Sequence, residues 1–163
     1  MSRLDSFIRR TMAQRDCLNF VIPQIKNMKG PIFELGLGNG RTYDHLREHL
    51  PGRDIYVFER KIAAHPDCIP PEDRLFLGDI GETYPRALAK FKKQAALTHT
   101  DLGTGDREAL VELSKFLGPA IANLTQVGGF VVANIEMNVP ELQRLPEPDG
   151  VPKDRYYIYK VIG

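Results

Sequence analysis

"IFELGLGNGRTYDHL", residues 32–46, reads as a short apolar strand, a glycine-rich turn and the start of a helix. Gly36, Gly38 and Gly40 stand at alternate positions where strand gives way to helix. Glycine accepts positive φ and carries no Cβ, so a ligand can come close to the backbone. A helix that starts after such a turn aims N–H groups at what is bound there.

The same alternation continues downstream. Pro51-Gly52 turns into "DIYVFER" (54–60), rich in β-branched and aromatic residues and so predicted to be a strand. A connection with Pro66, Pro70 and Pro71 leads to a third strand, "RLFLGD" (74–79), and then to a helix through Ala87–Phe91. "AALTHTD" (95–101) is a fourth strand. From Arg107 to Val127 apolar residues recur at helical spacing (Leu110, Leu113, Leu117, Ile121, Leu124), with a break expected at Gly118-Pro119. Gly128-Gly129 is expected to turn into the strand "FVVANIEM" (130–137). "VPELQRLPEPDGVP" (139–152) reads as turns, and "RYYIYKVI" (155–162) as a terminal strand. Upstream, Leu4, Phe7, Ile8 and Met12 form one helical stripe, and Leu18, Val21, Ile22 and Ile25 form another, out of phase with the first. The slip, with Pro23 nearby, predicts two helices.

Strands separated by helices give βαβ units. The expected fold is α/β, a three-layer αβα Rossmann-like sandwich. Its mostly parallel sheet would have six or seven strands with a C-terminal antiparallel strand. One domain spans residues 1–163, with 1–29 as an N-terminal helical cap and 30–163 as the core. Ligands of such sheets bind beyond the carboxyl ends of the strands, at the switch in strand order.

Bulk properties narrow the function. A chain of 163 residues builds its own core. A net charge of +1 gives no global attraction for nucleic acid or an anionic membrane, so neither is expected as a partner. Residues 1–29 carry a local excess of four positive charges, read either as a solvated helix face or as attraction for an acidic substrate. Cys17 and Cys68 have no metal or redox spacing, and reduced thiols suit a cytoplasmic protein. No apolar run has the length of a membrane span, and no signal-peptide core is evident.

Three strand ends carry the chemistry. After the first come Gly36, Leu37, Gly38, Asn39 and Gly40, with Glu34 two residues before the first glycine. A dinucleotide fingerprint, G-x-G-x-x-G, would need a third glycine where Arg41 stands. Glu59 closes the second strand 23 residues beyond Gly36, the spacing at which a carboxylate takes ribose hydroxyls; the bland alternative pairs it with Arg60 or Lys61. Gly78, Asp79 and Ile80 follow the third strand, where Asp79 also suits a helix N-cap.

Taken together, E-x-G-x-G-x-G, the acid at Glu59 and "GDI" resemble the class I S-adenosylmethionine-dependent methyltransferases over about Ile32 to Ile135. The resemblance implies S-adenosyl-L-methionine as cofactor. Glu34 would lie near its methionine, and the turn Gly36–Gly40 would wrap its methionine and ribose. Glu59 would bind its ribose, with Arg60 also in the cofactor site, and Gly78, Asp79 and Ile80 would meet its adenine. The fourth strand end, "THTDLGTG" (98–105), would add Thr100 and Asp101 to the cofactor site. His99 and Asp101 are the candidate catalytic bases, although a structural, hydrogen-bonded role suits His99 equally. Arg41 and Tyr43 would line the mouth. In a metal-dependent branch of the family Asp101 and Asn134 would be ligands, but Ala133 replaces an acid found there, and no metal is expected.

The implied activity is methyl transfer to a small-molecule acceptor. The alternatives are a non-catalytic S-adenosylmethionine- or S-adenosylhomocysteine-binding module and an NAD- or nucleotide-binding Rossmann protein. Many family members have a seventh strand in a C-terminal hairpin and an inserted acceptor domain. With neither evident, the N-terminal helices or a second subunit would have to cover the site, which suggests a homodimer.

Overall fold

The computed structural model describes residues 2–103 and 107–163. A single seven-stranded sheet runs β3-β2-β1-β4-β5-β7-β6. The strands are β1 (Ile32–Leu35), β2 (Ile55–Glu59), β3 (Leu75–Leu77), β4 (Ala95–Thr100), β5 (Thr125–Ala133), β6 (Leu142–Leu145) and β7 (Tyr157–Val161). The first five are mutually parallel, and β7 runs antiparallel to both β5 and β6. Helices α1 (Arg3–Ile25) and α2 (Arg41–His49) cover one face; α3 (Ile80–Phe91) and α4 (Arg107–Leu124) cover the other. This is the three-layer, mostly parallel architecture expected. The order of strands reverses between β1 and β4, so the switch point lies immediately beyond Leu35 and Thr100.

The pleat of β1 and β2 sorts side chains between two cores. Ile32, Ile55 and Val57 join Leu18, Val21 and Leu46 of α1 and α2. Phe33, Leu35, Tyr56 and Phe58 join Ala87, Phe91, Leu117 and Ile121 of α3 and α4. Successive residues of a strand point to opposite faces, so Glu34 falls on the α1/α2 side, where an apolar residue would be expected. It is wholly buried.

Four expectations need correction. Residues 3–25 form one helix rather than two. Its two stripes differ in phase because only the second packs on the sheet: Leu18, Val21 and Ile25 are buried, whereas Leu4, Phe7, Ile8 and Met12 are exposed. Pro23 lies in the last turn, where its missing N–H costs a single bond before the helix ends. A Ser2–Asp5 capping box starts this helix, and the Arg53 guanidinium bonds the carbonyl oxygens of Ile25 and Gly30 just past its end.

The long helix α4 is likewise unbroken through Gly118-Pro119. A Cβ on Gly118 would stand 2.9 Å from Val139 Cγ1, so this glycine serves close packing rather than a turn. Gly128-Gly129 lies inside β5, not before it. Ala95 pairs with Thr125 but Leu97 with Phe130, so β5 carries a bulge there, and Gly128 takes φ +84°.

Finally, the turn-rich segment contains β6, an edge strand between Pro140 and Pro146, positions where proline is tolerated because no ladder bond is lost. The chain therefore has the seventh strand that its sequence concealed. No helix among the described residues is long and apolar enough to cross a membrane.

Candidate functional site

Parallel strands end together, and four ends here frame one crevice of about 360 Å³. Gly36 and Gly38 come from the end of β1, Glu59 and Arg60 from β2, Gly78, Asp79 and Ile80 from β3, and Asp101, Leu102 and Gly103 from β4. Phe58 and Leu113 supply apolar wall. A second cleft of about 290 Å³ adjoins it, sharing Gly36, Gly38, Asp101 and Gly103. Leu37 and Asn39 line that cleft, and α1 forms its far wall with Arg10, Thr11 and Gln14. The chain thus covers its own site from the N-terminal side. Of the "THTDLGTG" segment, Thr104 and Gly105 lie outside the described residues.

The turn is held open by backbone geometry. Gly36, Gly38 and Gly40 all have positive φ (92°, 52° and 89°). A Cβ on Gly36 would press on Leu102 Cδ2 at 3.0 Å and the Asp101 carbonyl at 3.2 Å. One on Gly38, which lines both the crevice and the cleft, would meet no other described protein atom within 4 Å. Gly40 instead packs against Cys68 and begins α2, so it shapes the turn from below without lining the crevice.

Glu59 binds the turn to the neighbouring strand. One carboxylate oxygen accepts from the N–H groups of Leu37 (2.8 Å) and Gly38 (3.2 Å), the other from those of Arg60 (2.7 Å) and Lys61 (3.2 Å). The partners at Arg60 and Lys61 are backbone groups, not their charged side chains. Partial burial disfavours the charge, but these four donors outweigh it and hold the carboxyl below the usual range. Asp79 does two jobs at once: its carboxylate caps α3 by accepting from Gly81 N–H (2.9 Å), and it lines the crevice.

Three residues expected at the ligand lie beneath it. Glu34, His99 and Thr100 are fully buried and line neither the crevice nor the cleft. Glu34 and His99 are register partners on β1 and β4, so their side chains meet on the same face. One Glu34 oxygen accepts from the Thr42 hydroxyl; the other is 2.7 Å from His99 Nδ1. His99 Nε2 is 2.7 Å from the Tyr156 hydroxyl, which also accepts from Gln14 Nε2 at 3.1 Å. With a neutral ring every proton in this row finds an acceptor: Tyr156 donates to His99, and His99 donates to Glu34. Burial disfavours charging the ring, yet the Glu34 carboxylate prevails and raises the pKa of His99. Neither nitrogen is free for an acceptor, so His99 is a support beneath the turn, not a base in contact with substrate. Thr100 ends β4 one residue further on; it pairs with Leu35, so its buried side chain lies on the α3/α4 face, opposite Glu34 and His99.

Asp101 does reach the site. Its Oδ2 accepts from Arg10 (2.8 Å) and Gln14 (2.9 Å), joining α1 to the end of β4. Arg41 stands at the mouth as expected, whereas Tyr43 is buried in the core between α1 and α2. Arg10, Gln14 and Tyr156 were not anticipated. Gln14 alone left a signal: it sits four residues before Leu18 on the stripe that continues to Val21 and Ile25, a polar side chain in a core position.

The family model for S-adenosyl-L-methionine methyltransferases matches residues 1–161. The chain belongs to that family. S-adenosyl-L-methionine is its cofactor, and the residues present fit it: the glycine turn leaves the backbone open to a ligand, and the carboxylates of Glu59 and Asp79 line the crevice as hydrogen-bond acceptors. An S-adenosyl-L-methionine methyltransferase from Silicibacter pomeroyi DSS-3 is 47% identical, with 99% of each chain covered and a TM-score of 0.93. The fold is also shared with human methyltransferase-like protein 13 in complex with SAH (14% identity, 95% of this chain and 82% of that one, TM-score 0.60). TrmN from Thermus thermophilus shares it too (14%, 89% and 48%, TM-score 0.56). No functionally curated protein matches the chain in sequence.

Proposed function

We propose that this chain transfers the methyl group of S-adenosyl-L-methionine to a small-molecule acceptor. The observation that carries this is the convergence of Gly36–Gly38, Glu59 and Asp79 on one crevice that opens sideways into a cleft walled by α1. Adenine would lie between Asp79 and Ile80, the ribose at Glu59, and the methionine tail over the turn toward Asp101. The carboxylate of Glu59 already accepts four N–H bonds, about as many as its lone pairs allow, so ribose hydroxyls must share or replace those of Leu37 and Gly38.

The cofactor supplies an electrophilic methyl: the acceptor's lone pair forms the new bond, sulfur keeps the C–S pair, and the acceptor's proton leaves. The chain's part is to hold the acceptor about 3–3.5 Å from that carbon and in line with the departing sulfur. Among the described residues, no imidazole, amine or thiol side chain lines the crevice or the cleft. His99 is buried and engaged, and Asp101 is bridged to Arg10. The proposed acceptor therefore gives up its proton readily, or loses it to water after transfer.

The experiment is a label-transfer screen with methyl-labelled cofactor against small-molecule, RNA and protein acceptors, beside calorimetry with S-adenosylhomocysteine. Transfer to a small molecule supports the proposal. Tight cofactor binding without transfer to any arm would favour the non-catalytic module.

A further inference from the structure

We propose that the groove between α1 and α2 is the acceptor's site and that the acceptor is a small anion, its carboxylate or phosphate seated on Arg41. The inference rests on the cofactor reading above. The cleft beside the glycine turn runs on between the helices into a hollow of about 160 Å³, linked through Thr11, Gln14, Arg41 and Thr42. Anything held there abuts the turn over which the cofactor's methionine would lie.

Charge selects the occupant. Among the described residues Asp101 is the single acid lining the cleft and the hollow beyond it, and Arg10 balances it at 2.8 Å. Arg15 is balanced by Asp16 at 2.9 Å. Arg41 lines both spaces, and among the described residues it makes no ion pair. Its guanidinium lies over the Phe7 ring, 5.5 Å from the centroid, which orients the planar fork without neutralising it. The cofactor does not remove this surplus. The ammonium and carboxylate of its methionine cancel, and its sulfonium adds a further positive charge. A guanidinium fork offers two parallel N–H bonds to a carboxylate or phosphate, so an anion is bound with defined orientation as well as attracted. Two other hollows are poorer on both counts. In the one between α4 and the end of β5, Lys115 is paired with Glu112 and Glu136 with Arg144. Neither that hollow nor the one at Lys29, Arg53 and Asp54, beside the opposite strand ends, shares a residue with the cofactor crevice.

The test uses the protein saturated with S-adenosylhomocysteine, so failure to saturate would count against the cofactor reading alone. Benzoate, phenyl phosphate and benzamide are titrated while a proton–nitrogen correlation spectrum is followed. The expected result is a saturable shift of the Thr11, Arg41 and Thr42 amides with at least one anion and none with benzamide; which anion binds more tightly identifies the group. Arg41→Gln should weaken that anion by about tenfold while S-adenosylhomocysteine affinity stays within about threefold. Shifts that are equal with benzamide, absent with both anions, or unchanged by Arg41→Gln would overturn the proposal. So would label transfer that reaches only RNA or protein.

Discussion

The two walls of the site are built by different physics. On the strand-end wall, Gly36–Gly38, Glu59 and Asp79 sit where parallel strands stop, and most of their bonds run to backbone N–H groups. On the α1 wall, Arg10 and Gln14 reach Asp101 and Tyr156 across more than eighty residues of sequence, side chain to side chain. The first wall depends on local geometry, the second on how a helix docks. Damage to the strand-end wall should therefore appear as lost cofactor binding, and damage beneath or opposite it as lost stability.

The largest effect is expected at Gly36. Gly36→Val would force a branched side chain to φ +92° against Leu102 and the Asp101 carbonyl. Strain and overpacking together should cost about 3 kcal/mol or more. S-adenosylhomocysteine affinity should fall by at least about a hundredfold in calorimetry, an estimate from the same strain placed in the binding surface. If the variant binds normally, the turn does not hold the ligand.

Glu59→Ala comes next, with cofactor affinity down by more than about tenfold, as for loss of a charge-assisted pair. Its pH dependence has a definite sign. A carboxyl held below its unfolded value stabilises the protein above that value, and the contribution disappears as pH falls through the folded one. Melts between about pH 5 and pH 3 should show the wild type losing stability more steeply than Glu59→Gln, since only the wild type has this group to protonate. Parallel curves would show that the four N–H bonds contribute little.

Beneath the turn, Tyr156→Phe removes the hydroxyl between His99 and Gln14, leaving buried polar atoms without partners. Unfolding should become easier by about 1–3 kcal/mol, with cofactor affinity changed by less than about threefold. A large loss of affinity with an unchanged melt would reverse the roles assigned to the two walls. The smallest effect is expected from Arg10→Ala. Its bridge to Asp101 is partly exposed, so the melt should move by less than about 1 kcal/mol.

The same contrast explains what the sequence disclosed. Glycines after a strand, an acid closing the next and an Asp beginning a helix are local patterns, and the structure brings all three to one crevice. The row Thr42–Glu34–His99–Tyr156–Gln14 is not local. Its members come from five separate elements or loops, and nothing in their spacing marks them as neighbours. For that reason Glu34, read as ligand-facing, and His99, read as either a base or a structural histidine, both lie under the floor. The helical slip in α1 misled for a related reason: periodicity records apolar residues whether or not anything covers them. Strand β6 escaped notice because four residues flanked by prolines carry too little alternation to register.

The most direct test is a crystal structure with S-adenosylhomocysteine. The adenine should lie against Asp79 and Ile80, the ribose hydroxyls within hydrogen-bond distance of Glu59, and the amino-acid tail across Gly36–Gly38 toward Asp101. Ligand bound instead in the hollow between α4 and β5, or with its ribose away from Glu59, would contradict the placement on which everything above depends.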